Sequence, residues 1–301
     1  MYRRHRAAAL LVASLAFSGC VAAAAEDEES LVAHWRAARL EALTADGGWL
    51  TLVGLYWLHE GGNTLGRARS NAIAIDDPQL AARAGRFVLA GGHVRFDAAR
   101  HSCVTAGAAP ASRLELATDA GGEPTVLACG SLRMHVIERA GRFGVRVRDL
   151  AAPARRDFHG LEYFPTDGSW AYAARFEPYQ PPHHVPIVNV LGMEIDMLSP
   201  GALVFERDGR EFRLDALVES AGAEQLFVMF ADGTSGHETY GGGRFLYTPL
   251  PEGNTVALDF NRAYNPPCAF TRYATCPLPP PQNRLELRVS AGELKYSGDA
   301  H

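Results

Sequence analysis

The stretch from Asp232 to Arg244, Asp-Gly-Thr-Ser-Gly-His-Glu-Thr-Tyr-Gly-Gly-Gly-Arg, crowds acids, an imidazole, hydroxyls and a guanidinium into one connection between apolar runs. Its glycines permit close approach to a ligand. In a hydrolytic site Asp232 or His237 would act as base, and Arg244 would stabilise developing negative charge. In a binding site Arg244 would anchor an anion while Asp232, Thr234, Thr239 and Tyr240 orient it. The plainer assignment is a hairpin loop in which Asp232 and Thr234 bond to nearby backbone. Familiar catalytic patterns are missing: Gly241-Gly242-Gly243 precedes a strand and not the helix a phosphate loop needs, and His237-Glu238 lacks the second histidine of a zinc-protease helix. Ser235 lies outside any Gly-x-Ser-x-Gly elbow.

A second segment, 259–283, is rich in proline, aromatic and amide residues. Its prolines pre-order the backbone, which suits a pre-formed pocket. Asp259, Asn261, Tyr264, Asn265 and Asn283 are its candidate ligand-binding residues. The competing assignment is a wall over a sheet end, stapled by Cys268 and Cys276. Arg146 and Arg148 alternate with Val145 and Val147, so both guanidinium groups project from one sheet face, where they suit a carboxylate or phosphate or pair with local acids. His183, His184 and His237 lack carboxylates at metal-motif spacing, and no metal or cofactor is implied.

These residues need a scaffold, and the pattern predicts a mostly β one. Ser30 is placed to cap a helix whose Leu31, Val32, Trp35, Ala38, Ala42 and Leu43 fall on one face. From Trp49 onward the pattern is short apolar or alternating runs broken by Gly, Pro and Asp, among them 50–58, 169–176, 184–191 and 285–289. Ala90-Gly91-Gly92, Arg139-Ala140-Gly141-Arg142 and Arg207-Asp208-Gly209-Arg210 read as hairpin turns. Local connections favour antiparallel sheets, in sandwich or barrel-like lobes. The expected organisation is an export signal at 1–25, a helix and first β lobe at 26–150, and a second β lobe carrying the site at 151–301. Ala151–Ala154 and Pro178–Pro182 are candidate seams.

The 301 residues carry a net charge of −5, which becomes −8 without the three N-terminal arginines. Such a surface, with dispersed arginines, argues against nucleic-acid binding. Arg3, Arg4, His5 and Arg6 followed by the apolar run Ala7–Phe17 read as an export signal. Phe17-Ser18-Gly19-Cys20 resembles a bacterial lipobox, so Cys20 is a lipidation candidate; Ala22–Ala25 offers ordinary cleavage sites instead. A membrane is involved only through that anchor. The four remaining cysteines suit structural bridges in an oxidising compartment, most simply Cys103 with Cys129 and Cys268 with Cys276.

The strings Gly-Trp-Leu-Thr-Leu-Val-Gly-Leu-Tyr-Trp-Leu at 48–58, Asp-Gly-Thr at 232–234, Thr-Tyr-Gly-Gly-Gly-Arg-Phe-Leu at 239–246 and Asp-Phe-Asn-Arg-Ala-Tyr-Asn-Pro-Pro-Cys-Ala-Phe at 259–270 resemble the bacterial and archaeal family catalogued as domain of unknown function 1684. The resemblance spans about 31–295 and implies no activity, substrate or cofactor. It includes Cys268 and Cys276 without assigning them as bridged, metal-bound or free. Gly66-Arg67 with Ser70-Asn71 is similar, over that short stretch alone, to forkhead-associated phosphopeptide modules. The expectation is an exported or lipid-anchored envelope protein, in the periplasm or on the membrane, binding a small polar or anionic molecule between 232–244 and 259–283. A cofactor-independent hydrolase using the same pocket, and an envelope assembly protein, are the alternatives.

Overall fold

A computed structural model describes residues 27–298, so the expected export signal and Cys20 lie outside the described residues. The chain is mostly β, with antiparallel sheets, one barrel-like sheet that nearly closes, and one long N-terminal helix.

The first lobe is a sandwich. One sheet runs in the order Leu52–Trp57, Arg142–Asp149, Leu132–Arg139, Leu127–Cys129, Thr105–Ala106, Ala109–Pro110; the facing sheet runs Ile73–Ala74, Gly61–Gly66, Gly85–Ala90, His93–Ala98, Arg113–Leu116. Their inner faces share a core built on Leu65, Phe87, Phe96, Val136, Val145 and Val147. Strand alternation that buries Val145 and Val147 here turns Arg146 and Arg148 to the outer face. His135 pairs with Arg146 across adjacent strands, and both share that face. Cys103 and Cys129 form the expected bridge, with Cα atoms 5.3 Å apart.

The second lobe is a single sheet ordered Arg244–Pro249, Gln225–Phe230, Arg210–Val218, Glu194–Arg207, Ala171–Val188, Thr255–Asp259. Its first and last strands approach each other and enclose Trp170, Phe205, Phe230 and Phe260.

The three predicted hairpin turns place two consecutive residues at positive φ: 58° and 80° at Gly91-Gly92, 50° and 71° at Ala140-Gly141, 53° and 70° at Asp208-Gly209. That is the twist-matching turn expected of tight hairpins. Other expectations need correction. The runs 169–176 and 184–191 fall largely within one long strand, Ala171–Val188, and Pro178–Pro182 is no seam. The prolines occupy the break in register between Pro178 and His183, where no ladder donor is required. The 285–289 run is not a strand: it follows 231–233 through the bonds Leu285 N to Ala231 O and Gly233 N to Leu287 O. Gly61–Gly66 is a strand the sequence hid, because Gly and Asn carry little β signal.

The helix Glu28–Thr44 is capped by Asp27, whose side chain accepts from Ser30 N, so the cap lies three residues before the expected one. Although it precedes the first lobe in sequence, it docks on the second. Arg36 donates to Phe164 O and lies over the Tyr163 ring, and Arg39 reaches Glu293 and Asn265 O. Its apolar face is thinner than predicted: Val32 and Leu43 are buried, while Leu31 is exposed.

Candidate functional site: a cleft between the lobes

The 232–244 connection is a structural knot. The Asp232 carboxylate accepts from Thr234 Oγ1 at 2.9 Å, Ser235 Oγ at 3.2 Å and Val289 N at 2.7 Å, and pairs with Arg244 Nη2 at 3.3 Å. Arg244 also donates to the carbonyls of Val289 and Ala291. Both side chains of the ion pair have zero exposure. Thr234 and Thr239 are buried and share a hydroxyl hydrogen bond of 2.8 Å. Buried charges persist where they are paired and hydrogen-bonded, and this pair, in which only Arg244 Nε lacks a partner, fastens the sheet to the 289–291 segment. His237 stands apart, exposed. The expected catalytic grouping of Asp232, His237 and Arg244 therefore needs correction: two members pair with each other in the interior, both at zero exposure, and the third faces solvent.

The amides of the second segment are clamps as well. Asn261 exchanges hydrogen bonds with the backbone of Asp167 and donates to Asp259, which also holds Arg262 at 3.1 Å. Asn283 grips both backbone groups of Asp215 and the carbonyl of Met229. Asn265 donates from its backbone to Glu293 and from its side chain to Leu294 O. Tyr240 donates to Cys268 O at 3.3 Å and packs with Phe270 and Tyr296. Of the candidate binding residues, Tyr264 alone lines the cleft described next.

That cleft, about 820 Å³, lies where the outer face of the first lobe meets the second. Arg139 and Arg146 come from the first lobe, Arg39 from the helix and Trp49 from the 3₁₀ turn Trp49–Thr51. Facing them are Phe227, Phe245, Tyr247 and Tyr264, a continuous aromatic wall. The rings of Phe227 and Tyr247 stack at 5.0 Å, and Phe245 meets Tyr264 edge-on at 5.9 Å. His184, Asp196 and Glu219 stand at the exposed rim, where Tyr247 donates to Glu219 at 2.7 Å.

The arginines of this region differ in their counter-charges. Arg39 carries its own carboxylate in Glu293, 2.9 Å away. Arg139 carries Asp119, in a forked contact of 2.7 and 2.9 Å. Arg148 is served by Gly48 O and Thr51 Oγ1. Arg146 has none of these. It is 5% exposed, lies 5.2 Å from the Trp49 ring centre, and its Nε has no hydrogen-bond partner. No carboxylate among the described residues pairs with it. Burial, reinforced by the nearby Arg139 and Arg148 charges, lowers its pKa to about 10. Burial also pushes His135 down to about 4, with Arg146 and Arg148 adding to the effect, so this imidazole is neutral. An exposed arginine unpaired in this way would be unremarkable; at this depth it is a buried cation without a carboxylate partner.

Alternation in the sequence singles out Arg146 and Arg148 together, but nothing in it separates the served from the unserved one. Arg39, Trp49 and Arg139 carry no such signal, because only the packing of three distant segments unites them.

Two β lobes with a polar-floored, aromatic-walled cleft define a class of architecture without a reaction. The chain belongs to the family described as "protein of unknown function (DUF1684)", whose model matches residues 156–294. Among solved structures it is similar to the uncharacterized protein from gene locus rrnAC0354 of Haloarcula marismortui, with 35% identity over 47% of this chain and 79% of that one and a TM-score of 0.40. It is also similar to an FHA domain from a structural and functional analysis of phosphothreonine-dependent interactions, at 20% identity, covering 33% of this chain and 96% of that one, with a TM-score of 0.22. A third similarity is to the FhaA FHA domain complexed with the intracellular domain of Rv3910, at 18% identity over 31% and 97% of the two chains and a TM-score of 0.23. No curated protein matches.

Proposed function

We propose that this is an exported or lipid-anchored envelope protein that binds a small organic anion in the cleft between its lobes. The observation that carries the reading is Arg146, a buried guanidinium that lines a cleft without a carboxylate of its own. The aromatic wall opposite suits a flat apolar body, and Arg146 suits its carboxylate or phosphate. The site shifts from the expected junction of 232–244 and 259–283: the first segment closes the core, and the second contributes Tyr264, Pro267 and 275–277 to the cleft.

Benzoate and phenyl phosphate are suitable probes, with neutral benzamide as control. By titration calorimetry the wild type binds the anions in preference to benzamide. Hydrogen bonds to a charged group are worth about 1.5–3 kcal/mol, so Arg146→Gln weakens anion binding roughly 10- to 100-fold. Equal binding of anions and benzamide, or an unchanged affinity in Arg146→Gln, overturns the assignment. The anchor is tested separately: Cys20→Ala moves the protein from the membrane fraction to the soluble periplasm if Cys20 is acylated, and leaves the distribution unchanged if it is not.

A further inference from the structure

Cys268 and Cys276 are not bridged; they are two thiols in contact, and the expectation of a second structural disulfide needs correction. The backbone N–H of Cys268 donates to Cys276 Sγ at 3.1 Å. Their position is what distinguishes them. Cys276, 4% exposed, lines the cleft, within the electrostatic reach of Arg146. Cys268 is half-buried, touches Cys276 and follows Pro267, another cleft residue. The bridged pair, Cys103 and Cys129, lies in the first lobe and lines no part of the cleft.

A thiol pair beside an unserved guanidinium and an aromatic wall has a definite chemistry. We infer that Cys268 and Cys276 act as a dithiol that reduces a small anionic disulfide held in the cleft. The inference rests on the anion-binding reading and names the substrate class for it. Cys276, the thiol that lines the cleft, gives its proton to solvent and attacks one sulfur of the ligand, forming a mixed disulfide as the ligand's S–S bond breaks and the first thiolate leaves. Cys268, in contact behind it, then gives its proton to solvent and attacks Cys276 Sγ, which releases the second thiolate and closes the Cys268–Cys276 disulfide. The ligand gains two electrons and the protein loses two, and a second dithiol reaching the same compartment must return them by thiol–disulfide exchange before another turnover.

The test uses the reduced full-length chain with 5,5′-dithiobis(2-nitrobenzoate), an anionic aryl disulfide, and 4,4′-dithiodipyridine, a neutral one. Release is counted above that of a Cys268→Ser/Cys276→Ser double variant, which subtracts the other cysteines. Wild type is expected to release two aryl thiols per chain and, by intact mass, to retain no adduct; Cys268→Ser releases one and keeps the other as a mixed disulfide on Cys276. The wild-type count and mass stand alone should that variant fail to fold. Arg146→Gln is expected to lower the ratio of the anionic to the neutral reaction rate about tenfold. No release above the double variant, or an adduct retained on wild type, overturns the dithiol assignment even where benzoate binds. An unchanged rate ratio in Arg146→Gln overturns the anionic substrate class and tells against the cleft reading with it.

Discussion

Two buried arginines of similar sequence appeal have different surroundings, and the difference lies in their acceptors. Arg244 sits in the most suggestive loop of the chain yet is spent on Asp232 and two carbonyls. Arg146 sits in a plain Val-rich strand and has no carboxylate. Sequence shows that a guanidinium is present but not what it meets, so 232–244 looked like a site and the cleft did not. An uncompensated buried charge costs folding free energy. Arg146→Met should therefore raise the melting temperature of the ligand-free protein, by a stabilisation of about 1 kcal/mol after loss of the Trp49 contact; a fall in melting temperature would show the charge to be served. His135 gives a pH signature at the same place. Its folded pKa of about 4 is below the unfolded 6.5, so the unfolded chain takes up a proton first as pH falls. Stability should drop between about pH 7 and pH 4 and level off below, by about 3 kcal/mol from this group. In urea titrations across that range His135→Gln should flatten the slope.

At the scale of elements, the regular hairpins were legible because their turns demand particular residues, as at Asp208-Gly209 and Ala140-Gly141. Strands held mainly by their neighbours were not: Gly61–Gly66 forms between Ile73–Ala74 and Gly85–Ala90 despite its composition. The converse error is 285–289, an apolar alternation whose backbone is taken up by 231–233 instead of a ladder. The helix illustrates a third case, in which charge does the docking. Arg39 bridges to Glu293 and Asn265 O and covers the Tyr264 ring at 4.5 Å, and Glu293 is fully buried. Burial raises the Glu293 pKa despite the opposing Arg39 charge. Removing one partner of such a pair strands the other, so Arg39→Ala should destabilise by about 3–5 kcal/mol. Adding Glu293→Gln should recover part of that loss, and a double-mutant cycle by chemical denaturation in which the two effects simply add would contradict this picture.

At the scale of the whole molecule, the cleft exists because the helix, the first lobe and the second are held at one junction, the 3₁₀ turn that carries Trp49. Arg148 reaches across it to Gly48 O, and Thr271 Oγ1 donates to Leu52 O from the other side. Gly48 is the pivot. Its φ of −69° is open to any residue, so conformational freedom is not the reason for glycine here. Space is: a Cβ at this position would meet Leu43 O at 2.2 Å and Ala42 O at 2.7 Å, both backbone atoms of the helix end that cannot swing aside. Gly48→Ala must therefore push the helix terminus away from the turn, moving Trp49 relative to Arg146 and Arg39 relative to Tyr264. Its expected phenotype has two parts. Melting temperature falls, as for a strained backbone contact of about 1–3 kcal/mol, and benzoate affinity falls with it although no cleft-lining side chain has changed. A lower melting temperature with full affinity would mean that the lobes set the cleft without the helix junction, and that the proposed anion site belongs to the paired sheet faces alone.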